Sequence, residues 1–410
     1  MKREPLALPG RLGHILCLDD FEAAARRHLP APIFAYVCGG VERNQSLQAN
    51  ARAFERFEFV TRVLVNTCAR STETTLFGET WSAPFGIAPM GLCALSAYRG
   101  DLALANAAAR ENVPMIMSGS SLIPLEKVIR ANPRAWFQAY LPGAEPEIVA
   151  LIDRVKAAGY GTLVITLDAS IASNRENNIR AGFSTPLRPS ARLAWQGLTH
   201  PRWLFGTFLK TILKHGMPHF ENNHARRGAP ILSSNVLRDF SDRGHLGWEH
   251  IRLIRRMWPG KLVVKGILDI QDARLSVENG ADGIIVSNHG GRQLDSTVSP
   301  MRVLPGIVKA CPDIPVMIDS GFRRGTDALK ALALGARFVF VGRPFNYAAA
   351  VGGEEGVCKS ISLLREEVSR DMAMLGVTHT RALGEDLLFG HQDTSRDWFH
   401  RMDDKIPRAN

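Results

Sequence analysis

The 410-residue chain carries 50 Lys and Arg against 40 Asp and Glu, a formal charge of +10 at pH 7, with 45% hydrophobic and 22% charged residues. That balance belongs to a globular enzyme and excludes disorder as the main state. Six scattered cysteines without a CxxC pair give neither a zinc-site pattern nor a disulfide framework, and no bound metal is expected. The charge is local: residues 171–245 hold eleven Lys and Arg but four Asp and Glu. Such an uneven distribution argues for one basic surface element and against a nucleic-acid-binding protein.

Residues 1–82 contain two amphipathic stretches, 21–28 and 32–39, and read as an N-terminal helical cap on one larger domain. The N-terminus lacks an apolar run of signal-peptide length, and no stretch approaches spanning length. A cytoplasmic protein is therefore expected, in a reducing compartment or held peripherally on the cytoplasmic face of the inner membrane.

From residue 83 short apolar runs alternate with longer helical patterns. The runs at 85–88, 115–117, 136–140, 163–167, 262–265, 283–286, 316–318 and 338–341 predict eight strands. Helices are expected at 101–111, 147–158, 269–279 and 326–334, each closing near Gly, Asn or Pro. Eight βα units close naturally into a (β/α)8 TIM barrel over 83–390, with a doubly wound open sheet as the alternative. The connection 169–247 after the fourth strand is too long for an idle loop, and 391–410 reads as a C-terminal tail.

In a TIM barrel the reactive groups follow the carboxyl ends of the strands. Pro89, Met90 and Gly91 follow the first strand and Ser118 the second. Gln138 and Tyr140 lie on the third, Thr166 and Asp168 on the fourth, and Lys265 closes the fifth. The sixth runs into Ser287-Asn288-His289-Gly290-Gly291-Arg292-Gln293-Leu294-Asp295. The last two end in Asp319-Ser320-Gly321-Phe322-Arg323 and Gly342-Arg343-Pro344, where glycine-rich turns, helix starts and arginines make a phosphate cradle.

Arg175 and Arg292 could grip a carboxylate in bidentate fashion. Asp168 could orient His289 and stabilise its protonated form. A lysine closing a buried strand needs an anion, for which a reduced flavin edge or a substrate phosphate would serve. A flavin-free barrel enzyme acting on a phosphorylated substrate uses the same loops and stays open at this point.

These residues resemble the FMN-dependent 2-hydroxy-acid oxidases and dehydrogenases, the family of glycolate oxidase, L-lactate dehydrogenase and mandelate dehydrogenase. The resemblance rests on SNHGGRQLD at 287–295, VKG at 264–266, DSGFRRGTD at 319–327, KALALGA at 330–336 and GRP at 342–344. It implies FMN as cofactor and a small (S)-2-hydroxy acid as substrate. His289 would be the base and Asp168 its partner. Arg175 and Arg292 would bind the carboxylate, and Tyr36 and Tyr140 would place hydroxyls beside the substrate.

The resemblance also implies flavin contacts from Pro89, Met90, Gly91, Ser118, Gln138, Thr166, Lys265 and Ser287. Asp319, Gly321, Arg323, Gly342 and Arg343 would hold the ribityl chain and phosphate. A homotetramer is the family habit, and a quinone or oxygen would take the electrons.

Departures from the family pattern carry information. Met90 replaces a common threonine and removes one hydroxyl from the cofactor site. Ser120 stands where glycolate oxidase has a bulky Trp, which leaves room for a larger side chain; a larger or peptide-like substrate is the alternative. HPRW at 200–203 and HGMP at 215–218 are similar to mandelate dehydrogenase. Between them, 202–214 reads as a basic amphipathic helix, suited either to a lipid interface or to packing on the barrel or a partner subunit.

Overall fold

A computed structural model describes residues 12–233 and 243–390. The expected tail at 391–410, the first eleven residues and part of the 169–247 connection lie outside the described residues. Eight parallel strands form one sheet: β1 (Phe85–Ile87), β2 (Ile116–Ser118), β3 (Trp136–Ala139), β4 (Thr162–Thr166), β5 (Lys261–Ile267), β6 (Gly283–Val286), β7 (Val316–Ile318) and β8 (Phe338–Val341). Each pairs with its neighbour in sequence from β2 to β8, and β8 then pairs with β1. A parallel bridge between Ile87 and Met115 closes the ring at the β1–β2 seam. The open doubly wound alternative is thereby excluded.

Strand side chains alternate between faces, so residues two apart share one face. The inward positions Ile116, Trp136, Val164, Val263, Ile285 and Met317 form an apolar layer inside the ring. Two residues further on, the same faces carry Ser118, Gln138, Thr166, Lys265, Ser287 and Asp319. The apolar layer thus closes the floor beneath a polar one.

Below the layer, the hairpin Thr74–Leu76 and Glu79–Trp81 plugs the amino-terminal end with Leu76, Phe77 and Trp81. A Cβ on Gly283 would lie 2.8 Å from Phe77 Cζ, so only glycine leaves room for that plug. The plug was not foreseen from the sequence, because each strand spans only three residues.

The cap contains the two expected helices, Leu18–His28 and Ala31–Cys38, and a third, Gln45–Arg52, missing from the sequence reading. The third helix has a polar sequence, QSLQANAR, which hides its burial from a hydrophobicity pattern. Strand Phe57–Phe59 pairs antiparallel with Leu388–Gly390 and ties the two ends of the barrel region together.

The 169–247 connection folds over the carboxyl end of the barrel and includes helices Glu176–Ala181 and Ala191–Leu198. The basic amphipathic segment is helical from 201 to 215, with wider π-type turns at Leu204–Leu209. Trp203, Thr207 and Thr211 are buried, while Phe205 and Leu213 are 66% and 83% exposed. One face of this helix packs on the barrel and the other faces outward.

Candidate active site

A cavity of about 680 Å³ opens at the carboxyl end of the ring. Its wall includes Tyr36, Pro89, Met90, Gly91, Tyr140, Thr166, Arg175, Lys265, His289, Arg292, Asp319, Gly321, Arg323, Gly342 and Arg343, all singled out from the sequence. Asp168, Ser118, Gln138 and Ser287 lie behind that wall and touch it through other groups.

His289 stands on the turn after β6 with φ +57°, followed by Gly290 and Gly291 at +66° and +71°. This left-handed run projects the imidazole into the cavity. Nδ1 lies 2.7 Å from Asp168 Oδ1, and Nε2 lies 3.3 Å from Tyr140 Oη. With the ring proton on Nδ1 toward the carboxylate, Nε2 keeps its lone pair on the cavity side and accepts from the phenol.

Burial pushes the His289 pKa down, outweighing the opposing pull of Asp168, and nearby Lys265 and Arg175 add to the lowering. The neutral ring able to accept a proton is therefore favoured. Burial raises the Asp168 carboxyl, but the charge and hydrogen bond of His289, with the charge of Lys265, bring it net below the ordinary range. Gln293 Nε2 donates to the Asp168 backbone oxygen, steadying the pair from a position to which the sequence reading gave no role. Burial drives the Tyr140 phenol up to about 12, so it stays a donor at neutral pH.

Three partly buried arginines crowd the other side. Arg175 donates to Ser173 Oγ, the Arg292 backbone oxygen and Gln293 Oε1, and burial with the neighbouring Arg292 lowers it to about 10. Arg292 donates to the backbone oxygens of Tyr36, Val37 and Gly39. Arg343 donates to those of Val37, Gly39 and Gly290, and burial lowers it to about 9. The helix Ala31–Cys38 thus ends on two arginines that hold its last carbonyls. Like charges so close form a site for anions.

Arg323 leans on Asp19 at 3.6 Å and Glu22 at 3.9 Å of helix Leu18–His28. Lys265, almost wholly buried, pairs with Asp319 at 3.1 Å and donates to Ser287 Oγ at 2.8 Å. Ser287 Oγ also accepts the His289 backbone N–H at 3.0 Å, which links the lysine to the histidine turn. Ser118 Oγ and Gly119 N–H both donate to Gln138 Oε1, while buried Gln138 Nε2 has no hydrogen-bond partner among the described residues. A buried amide donor without an acceptor is costly unless a ligand carbonyl or ring nitrogen meets it.

The distal wall comes from the connection after β4, through Ile171, Ile179, Phe183 and Phe220. Phe183 stacks on Tyr36 with centroids 4.6 Å apart. The sequence reading named none of these four, since isolated apolar residues in a polar loop carry no period that marks them.

A closed barrel with a histidine–carboxylate pair, a phenol, an arginine cluster and a glycine-rich cradle defines an enzyme of anionic small molecules with a phosphorylated ring cofactor. This chain belongs to the FMN-dependent 2-hydroxy-acid dehydrogenase family, whose model, described as FMN-dependent dehydrogenase, matches residues 25–389. It is 38% identical over 374 residues to an L-lactate dehydrogenase of Pseudomonas entomophila, spanning 90% of this chain and 97% of that enzyme.

An (S)-mandelate dehydrogenase of Pseudomonas putida is 36% identical over 373 residues, spanning 90% and 93% of the two chains. The crystal structure of the monotopic membrane protein (S)-mandelate dehydrogenase superposes with a TM-score of 0.84 at 35% identity, covering 92% of this chain and 100% of that one. FMN is the cofactor of the family. The orphaned Gln138 amide, the buried Lys265 and the arginine-lined cradle fit its ring edge and phosphate.

Proposed function

We propose that the chain oxidises an (S)-2-hydroxy acid to the 2-oxo acid, with His289 as the base. The observation that carries this reading is the Asp168–His289–Tyr140 line, whose imidazole Nε2 faces the cavity beside the Tyr140 hydroxyl, opposite Arg175 and Arg292. Bound FMN supplies the two-electron acceptor.

Arg175 and Arg292 bind the substrate carboxylate with guanidinium donors beyond those spent on the protein. Tyr140 directs its hydroxyl to the substrate oxygen, and Tyr36 borders the carboxylate. His289 Nε2 takes one proton from the substrate, the other hydrogen and the electron pair would pass to bound FMN, and ionised Asp168 stabilises the resulting imidazolium at Nδ1. Lys265, with its buried positive charge, would stabilise the reduced form of bound FMN, and Ser118, Gln138, Thr166 and Ser287 would help hold the ring. Asp319, Gly321, Arg323, Gly342 and Arg343 would hold the ribityl phosphate end. Pro89, Met90 and Gly91, which line the cavity, would contact bound FMN.

Side-chain specificity follows from the distal wall. Gly91 and Ser120 are small, and Ile171, Ile179, Phe183 and Phe220 are apolar. This supports an aromatic or medium-chain 2-hydroxy acid over glycolate. The electron acceptor in this reading is a quinone, reached from a membrane surface that the outer face of 201–215 contacts through Phe205, Leu213, Arg202 and Lys214. Among the described residues no helix is long and apolar enough to cross a membrane.

Anaerobic titration of the purified yellow protein with glycolate, lactate, mandelate and 2-hydroxyoctanoate tests the reading. Flavin bleaching fastest with mandelate or 2-hydroxyoctanoate is expected. No bleaching by any 2-hydroxy acid sinks the assignment, and preference for glycolate sinks the specificity.

A further inference from the structure

We propose that Asn50 is a positioning residue for both the catalytic turn and the phosphate loop, acting through Asn288 and through its own backbone. Asn50 lies on the helix Gln45–Arg52 of the cap and is fully buried. Its Nδ2 donates to Asn288 Oδ1 at 2.8 Å, and Asn288 Nδ2 returns a bond to Asn50 Oδ1 at 2.8 Å. The two amides form a closed reciprocal pair in a place without water access, where each bond counts because its loss strands a donor or acceptor.

Asn288 immediately precedes His289. Its Oδ1 also accepts the Gly291 N–H at 3.1 Å, and its Nδ2 also donates to the Val298 oxygen at 3.3 Å. The side chain thus spans the left-handed run at His289, Gly290 and Gly291. Left-handed backbone at a residue other than glycine is strained and needs support from outside the turn. Asn50 supplies that support, since it fixes the amide that closes the turn.

The same helix presses on both loops. A Cβ on Gly291 would lie 2.5 Å from Leu47 N, and one on Gly321 would lie 2.9 Å from the Asn50 backbone oxygen. Asp295, at the far end of the catalytic loop, accepts the N–H groups of Arg43 at 3.0 Å and Ser46 at 2.8 Å. Ser320 Oγ, beside Gly321, accepts the Gly290 N–H at 3.0 Å and joins the two loops directly. One polar helix of the cap therefore sets the distance between the base and the phosphate cradle.

The proposal rests on His289 being the base, and Asn50→Asp separates it from a merely structural role. An ionised aspartate still accepts from Asn288 Nδ2 but cannot donate to Asn288 Oδ1; a protonated one restores both bonds. A buried carboxyl titrates above its ordinary range. The titratable and charged groups on the adjoining loops are His289, Arg292 and Asp295 on the one and Asp319, Arg323 and Arg324 on the other.

Expected is a fall in kcat/KM on the order of a hundredfold at pH 8, recovering as pH falls, whereas wild-type activity falls with acid. Asn50→Leu should lose activity at every pH and weaken FMN binding to the apoprotein, read by fluorescence quenching, by about tenfold or more. If Asn50→Leu does not fold, Asn288→Asp with the same pH series takes its place.

An Asn50→Asp profile parallel to wild type, or Asn50→Leu within twofold of wild type in both kcat/KM and FMN affinity, overturns the proposal. A wild-type protein that turns over no 2-hydroxy acid refutes the base assignment instead, and FMN affinity of the variants still judges Asn50.

Discussion

At the scale of single residues, the site works by opposing burial against charge. Burial lowers the His289 pKa below the ordinary value of about 6.5, so its neutral form persists to lower pH. A base of this kind loses activity as pH falls through its own pKa. The acid limb of kcat/KM should accordingly turn down below about 6.5, which stopped-flow flavin reduction across pH 5–9 measures. His289→Gln should keep visible FMN yet lose substrate reduction of the flavin; undiminished bleaching would remove His289 as the base.

Gly91 gives a second test at this scale. A Cβ there would sit 3.1 Å from both Tyr36 Oη and Ser120 Cβ. Gly91→Ala should narrow the cavity and lower kcat/KM for mandelate about tenfold more than for lactate, as loss of about 1.4 kcal/mol of fit implies. Equal losses for both substrates would show that Gly91 does not border the substrate side chain.

Among the elements, the helix 201–215 has two faces with separate tasks. Its inner face is fixed by Trp203, whose Nε1 donates to the Leu95 oxygen at 2.7 Å, and by Lys210, 4.1 Å above the Tyr98 ring. Tyr98 Oη in turn lies 2.9 Å from His215 Nε2. The outer face carries Phe205 and Leu213, too exposed to serve the barrel core.

Phe205→Ser with Leu213→Ser should reduce sedimentation with vesicles containing anionic lipid at least several-fold. Activity with a soluble dye acceptor should stay within twofold. Unchanged sedimentation, checked at low salt, would assign the outer face to another partner.

At the scale of the whole molecule, ligand and fold are linked. The cavity gathers Arg175 and Arg292 on the substrate side and Arg343 in the phosphate cradle, and burial lowers the pKa of Arg175 and Arg343. Their mutual repulsion is relieved when an anion enters. FMN at a thousand times its Kd stabilises the folded state by about 4 kcal/mol. Removing FMN should lower Tm by several degrees, and inorganic phosphate should restore part of that loss; a Tm indifferent to both would mean the cradle binds neither.

The strands and the chemistry at their ends were legible in the sequence because both are local. Eight apolar runs mark the ring, and on six of the strands, β2 to β7, the residue two places beyond the inward side chain is polar, as at Val263 and Lys265. The pairing of Asp168 with His289 joins residues 121 apart and only the folded ring brings them to 2.7 Å. What the pattern did not reveal was the support: the hairpin under the barrel, the polar helix Gln45–Arg52, the Asn50–Asn288 pair and the apolar wall at Ile171, Ile179, Phe183 and Phe220.

By itself, then, the sequence determined the strand order, the chemical types around the cavity and the family. The tertiary structure alone decided which arginines spend their donors on backbone carbonyls, which face of 201–215 turns outward and which cap helix braces the histidine turn. The physical reason is that periodicity and turn chemistry are written within a few residues, whereas burial and hydrogen-bond partnership are properties of segments that meet only after the ring has closed.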